Sequence, residues 1–216
     1  MTEFYSEQWF DLSHTMAADV LAGEYPWEIL ADLSDLIRMW GQQLSRDEYT
    51  EISPGVFVAK DVRISPSATI QAPCIVGGGS EIRSGAYIRG SALIGRGCVI
   101  GNSTEVKNSI LFDGVKVPHF NYVGDSILGR GVHLGAGAVL SNVRCDGAPI
   151  VLRTAPPIST KRRKLGAIIG DGCEIGCHAV LNPGTLLGRG SIVYPLTSVR
   201  GAHPANSRLG GFGGGG

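Results

Sequence analysis

The chain has 216 residues, with 19 Lys+Arg balanced by 19 Asp+Glu, so no net field exists to hold nucleic acid. At 43% hydrophobic and 18% charged it folds rather than staying disordered, and no apolar run reaches the ~18 residues that cross a bilayer. Five cysteines without a C-x-x-C pair, behind a polar, acidic start unlike a secretory signal, argue against a disulfide framework or structural zinc and for the reducing cytoplasm.

Residues 1–50 form a helical segment. Pro26 suits the first turn of a helix. Ile29/Leu30, Leu33, Leu36/Ile37, Trp40 and Leu44 then recur at helical spacing, which predicts an amphipathic helix over 26–44. A shorter helix over 14–22, capped by Ser13, is expected before it. Trp9, Phe10, Trp27 and Trp40 read as a small core docked on the start of the adjoining domain, rather than as a ligand site.

Residues 51–205 carry a six-residue repeat. Val58, Ile64, Ile70, Val76, Ile82, Ile88, Ile94, Ile100 and Val106 are nine β-branched aliphatics at a constant spacing of six. Small residues follow four positions later at Ala68, Cys74, Ser80, Ala86, Ala92, Cys98 and Thr104. Two shorter steps of five reach Leu111 and Leu128, and after a break the line resumes from Ile169 to Val199. Period six matches neither a helix nor a plain alternating strand. It fits a short strand and a corner, repeated; three repeats close one coil, and coils stack through parallel strands about 4.8 Å apart. Glycine is 32 of 216 residues, about twice the usual ~7%, as many corners require. Cys74, Cys98 and Cys173 occupy the small interior slot and read as packing residues.

Residues 141–164 interrupt the repeat. With Pro149, Pro156, Pro157 and the run Lys161-Arg162-Arg163-Lys164, they predict a long projecting loop, of a length that is usually functional or disordered. Residues 206–216 read as a glycine-rich tail.

The repeat resembles that of the hexapeptide-repeat acyltransferases, which implies a left-handed parallel β-helix. A more restrictive resemblance lies in Glu105-Val106-Lys107, Lys116 through Ser126 with its H-x-x-Y-x-G-D segment, Leu134-Gly135-Ala136-Gly137 and Asn142. These are similar to the acetyltransferase half of the bifunctional enzymes of UDP-N-acetylglucosamine synthesis. Lys164 to Asp171 and Asn182-Pro183-Gly184-Thr185 resemble the archaeal-type versions. The resemblance spans about residues 56–201.

It implies acetyl transfer from acetyl-CoA to glucosamine 1-phosphate or another amino-sugar phosphate, without a metal, in a cytoplasmic homotrimer that binds neither nucleic acid nor membrane. An amine attacks a thioester only as the free base, so a histidine base is apt, and the resemblance gives that role to His119. It gives substrate binding to Arg89, Lys107, Tyr122, His133 and Asn142, and acetyl-CoA contacts to Ala136, Cys177 and Pro195. Arg89 and Lys107, 18 residues apart, fall one coil apart on one face. They read either as a phosphate clamp or as a solvated stacked pair. In a trimer the 141–164 loop is expected to cover the adjacent subunit's site.

His133, Cys177 and Pro195 depart from the bacterial pattern, which has Asn, Ser and a small residue there. The lysines expected soon after Asn142 are replaced by Arg144 and then Arg153. These departures bear on the acceptor more than on the reaction. Histidine intervals of 14 and 45 exclude the zinc site of a γ-class carbonic anhydrase. A non-catalytic assembly or regulatory subunit on the same scaffold stays open. Residues 1–50 are too short for a nucleotidyltransferase fold, so no uridylyl transfer is expected. His178 and His203 read as surface residues.

Overall fold

A computed structural model describes residues 6–23 and 25–211. Residues 1–5, Glu24 and 212–216, the last of these the end of the expected tail, lie outside the described residues. The repeat winds into a three-sided parallel β-helix. Successive short strands visit face 1, face 2 and face 3 in turn, and each face is a parallel sheet. Face 1 runs from Val56–Ala59 to Ala202–His203, face 2 from Arg63–Ile64 to Arg208–Leu209, and face 3 from Thr69–Ile70 to Ser198–Val199. One further strand, Tyr49–Ser53, pairs antiparallel with Val56–Ala59 and closes the first edge of face 1.

The interior holds the aliphatic ladder read from the sequence: Ile82, Ile88, Ile94, Ile100 and Val106 are buried in one continuous core with Cys74, Cys98 and Cys173. Burial pushes the Cys74 and Cys98 thiols up to about 12 and Cys173 to about 11. A thiol at those positions is packing, not a nucleophile.

Both five-residue steps fall at corners from face 3 to face 1. The full-length corners from face 3 to face 1 vary: Gly90 and Ser91 form a left-handed pair at φ +87° and +49°, whereas Gly184 at φ +75° is the one left-handed residue of its corner. In the two shortened coils one left-handed residue suffices, Asn108 at φ +44° and then Asp125 at φ +49°. Asn and Asp tolerate this region better than other residues with a Cβ.

A second apolar layer lies outside face 1. Phe57, Ile75, Leu93, Ile110, Ile127, Ile168 and Leu186 alternate along its strands with interior residues, so they point away from the interior their neighbours fill. The N-terminal segment covers them with Trp9, Phe10, Leu21, Trp27, Leu30, Leu33 and Ile37. This core therefore runs along the prism rather than sitting on the first coil. The Phe10 and Phe112 rings lie 5.0 Å apart, and the Asp171 amide donates to the Trp9 carbonyl at 3.0 Å.

The helices in this segment differ from the sequence expectation. The stretch over 26–44 is a 3-10 helix, Pro26–Ala31, followed by an α-helix, Leu33–Gln43. The break at Asp32 lets both pieces turn apolar residues onto face 1. The earlier helix is only Ala18–Leu21, and no side chain caps it; Ser13 lies in a 3-10 turn that Asp11 caps.

Nor does 141–164 simply project. Val151–Leu152 and Ile158–Ser159 form an antiparallel ladder, while Ile150, Leu152 and the following Leu165 are buried in the outer layer of face 1. In the basic run, the Arg162 guanidinium donates to the Glu28 carbonyl at 3.0 Å. The loop thus folds back over its own chain. Among the described residues, no helix is long and apolar enough to cross a membrane.

Candidate active site

His119 ends the strand Lys116–His119 on face 2, at the corner leading to face 3. Pro118 holds Val117 extended, and Phe120 turns the corner at φ +54°. The buried Asn121 braces the turn: its Oδ1 accepts from the His119 amide at 3.1 Å and its Nδ2 donates to the Gly135 carbonyl at 2.8 Å. The His119 ring is left exposed, and among the described residues no side chain hydrogen-bonds it.

The next coils stack on His119 in a single line. The Gly137 amide donates to the His119 carbonyl at 3.0 Å, the His178 amide to that of Ala136 at 2.9 Å, and the Leu196 amide to that of Cys177 at 3.0 Å. This register places His119, Ala136, Cys177 and Pro195 one above another along the corner, about 14 Å from end to end at ~4.8 Å per coil. One histidine and three small or rigid residues make an open rail beside an imidazole.

Across face 3 lies a polar cluster. Tyr122 begins the strand Tyr122–Gly124, and its ring lies along the face over Gly124, where a Cβ would meet the phenol oxygen at 2.6 Å. Burial, then the nearby Glu105 and Asp125 carboxylates, push the Tyr122 phenol above its ordinary value, opposed by a hydrogen bond with Asn142. Asp125 is the hub. Its carboxylate accepts from Lys107 Nζ at 3.1 Å, from Asn108 Nδ2 at 2.8 Å and from Asn142 Nδ2. Asp125 is 5% exposed and Lys107 17%.

Arg89 and Lys107 are one coil apart on this face, in register, yet neither is a free cation. Arg89 bonds Glu105 Oε1 at 2.6 Å as Lys107 bonds Asp125. A phosphate bound here must compete with both carboxylates. His133 stands elsewhere, on face 2, with its Nδ1 2.8 Å from Glu174 Oε2. The chain thus brings Lys107, Tyr122 and Asn142 together and aligns His119 with Ala136, Cys177 and Pro195. His133 shares face 2 with His119 but lies off the face 3 cluster. Asp125 was visible in the H-x-x-Y-x-G-D segment, but only its burial reveals it as the anchor. Among the described residues, no group of three or more His, Cys, Asp or Glu side chains could hold a metal ion.

The family model for the EIF2B subunit epsilon LbH domain matches residues 53–153. A bifunctional sugar-1-phosphate nucleotidylyltransferase/acetyltransferase from Sulfurisphaera tokodaii is 34% identical over 176 residues, covering 79% of this chain and 43% of that one. This chain carries the hexapeptide repeat and is similar to acyltransferases that share it. A second relative, the bifunctional protein GlmU of Methanococcus maripaludis, is 34% identical over 108 residues, covering 50% of this chain and 26% of its own. The chain thus spans less than half the length of either relative. Among solved structures, the UDP-N-acetylglucosamine acyltransferase from Campylobacter jejuni matches at 12% identity and a TM-score of 0.47, covering 71% of this chain and 69% of that one. That likeness is too distant to bear on function.

Proposed function

We propose that the protein is an acetyl-CoA-dependent N-acetyltransferase acting on an amino-sugar phosphate, resembling glucosamine 1-phosphate, in nucleotide-sugar and envelope-precursor synthesis. The observation that carries this reading is the line of His119, Ala136, Cys177 and Pro195 at one corner, beside the Lys107, Tyr122, Asn142 and Asp125 cluster on the adjoining face. In this reading Ala136, Cys177 and Pro195 flank the extended arm of acetyl-CoA, whose thioester ends near His119. The His119 imidazole takes a proton from the sugar amine as its nitrogen attacks the thioester carbonyl. A C–N bond forms, the C–S bond breaks, and the electron pair leaves on sulfur as the thiolate of CoA. Tyr122 and Asn142 orient the sugar ring, and Lys107 with Arg89 meets its phosphate. Five free cysteines fit a cytoplasmic setting.

A homotrimer goes with this reading. Face 1 is covered by the chain itself, so faces 2 and 3 remain to meet neighbouring copies. Such packing would bring His133 of one copy toward the face 3 cluster of the next. Sedimentation at micromolar concentration should then give a trimer; a monomer of the chain mass of 22.7 kDa would overturn it.

The decisive experiment is an acceptor screen with acetyl-CoA, read by release of free thiol. Turnover with one amino-sugar phosphate supports the reading. Its absence with every amino sugar would favour a second reading, a non-catalytic assembly or regulatory subunit. Two observations favour that alternative: the neutralised Arg89 and Lys107, and a family model drawn from a subunit domain.

A further inference from the structure

A cavity of about 250 Å³ lies between the base of the 141–164 loop and the third-to-first corner of the later coils. Arg144, Cys145, Asp146 and Arg153 line it from the loop, and Asn182 and Arg200 from the β-helix. Three arginines thus face one carboxylate. Asp146 is already taken: its Oδ1 accepts from Arg144 Nε at 2.9 Å, its Oδ2 binds the same guanidinium, and this fork holds the acid below the usual carboxylate range. Arg153 and Arg200 are left. Among the described residues, neither side chain makes a hydrogen bond or ion pair.

The fold brings these two arginines together. Arg200 follows the strand Ser198–Val199, and Arg153 follows Val151–Leu152. Gly201, at φ +89°, approaches so closely that a Cβ on it would stand 3.4 Å from the Arg153 Cβ. The loop base is seated rather than swinging. Ile150 and Leu152 are buried, and a Cβ on Gly184 would meet them at 2.8 and 3.0 Å. Two guanidiniums held on touching segments repel one another unless an anion lies between them, and their planar donors suit the oxygens of a phosphate.

We propose that this cavity is a phosphate-binding site, with Arg153 and Arg200 as its donors and Arg144, fixed by Asp146, as its wall. Pockets for drug-sized ligands run to roughly 300–1,000 Å³, so this smaller one takes a phosphate group rather than a whole nucleotide. The phosphate is either inorganic or the ester group of a sugar phosphate whose remainder stays outside. The site is separate from the Lys107 cluster. In register, Lys107, Gly124, Ser141, Asn182 and Arg200 succeed one another along the corner, putting Arg200 about 19 Å from Lys107 at ~4.8 Å per coil. The proposal is therefore independent of acetyl transfer.

Cys145 supplies the probe, as an exposed free thiol on the cavity wall. In a Cys177→Ser background it is the one exposed cysteine. Its rate of modification by a neutral maleimide is measured with inorganic phosphate, with glucosamine 1-phosphate, and with chloride at matched ionic strength. Phosphate should slow modification at least fivefold and saturably, while chloride should not. Protection by inorganic phosphate identifies the free ion as sufficient; protection by the sugar phosphate alone identifies the ester. Arg153→Ala with Arg200→Ala should abolish protection with the melting temperature kept. If that pair fails to fold, Arg200→Gln alone should raise the half-protecting concentration at least tenfold. No protection by either phosphate, or protection undiminished in the arginine variants, overturns the site.

Discussion

The Lys107 ammonium lies 3.1 Å from the Asp125 carboxylate at a corner that leaves Asp125 only 5% exposed. One coil earlier, the Arg89–Glu105 pair is shorter, at 2.6 Å, but its members are 45% and 29% exposed. Removing a partner from a buried pair costs about 3–5 kcal/mol, against ~0–1 kcal/mol for an exposed one. Asp125→Ala should therefore destabilise strongly in urea and Glu105→Ala hardly at all. Equal losses would mean that Asp125 is not the anchor of the cluster.

In the proposed reading His119 is the base: Asn121 holds its backbone, and among the described residues no side chain hydrogen-bonds its ring. His119→Ala should lower kcat by about 10²–10⁴-fold with KM for both substrates nearly kept. Lys107→Ala should raise KM for the sugar phosphate first. A His119→Ala enzyme with near-normal kcat would remove the base from the mechanism.

The interior thiols set a pH dependence. The folded state raises Cys74 and Cys98 to about 12 from an ordinary 9.0. Between these values the folded chain holds protons that the unfolded chain has released, so stability falls as pH rises from about 9 toward 12. Below 9 these groups contribute no slope. Urea midpoints across that range should decline, and Cys74→Ala with Cys98→Ala should flatten the decline. At pH 8, a thiol reagent should modify Cys145 and Cys177 quickly and the other three only on unfolding.

Phe10 is 1% exposed against Phe112. Phe10→Ala should cost about 3–5 kcal/mol, lowering Tm by roughly 6–20 °C in a chain of this size. A shift below a few degrees would mean that the N-terminal segment adds little to the outer layer of face 1.

The coil architecture was legible because each interior aliphatic is spaced by the geometry of its corner, so Ile82, Ile88 and Ile94 announce three corners directly. The outer stripe was not, although Phe57, Ile75, Leu93, Ile110 and Ile127 are all apolar. Each sits between two interior residues, where an inward and an outward aliphatic look alike. The stretch over 26–44 reads as one continuous helix because periodicity counts apolar positions and is blind to a one-residue break at Asp32. Among the candidate residues, the alignment of His119 with Ala136 follows from coil spacing, while the pairing of Lys107 with Asp125 does not. An ion pair depends on side-chain direction at a left-handed corner, which residue spacing does not encode.

The apolar seal on face 1 limits the molecule's valence. A three-sided rod with one side closed by its own chain has two flanks to offer, inclined to one another. Joining unlike flanks, head to tail, is the heterologous contact that closes a ring when the rotation fits. Joining like flanks stops at pairs or alternates along a chain. Neither builds a sheet of rods in two dimensions, so the sealed flank acts as a guard against unlimited lateral growth.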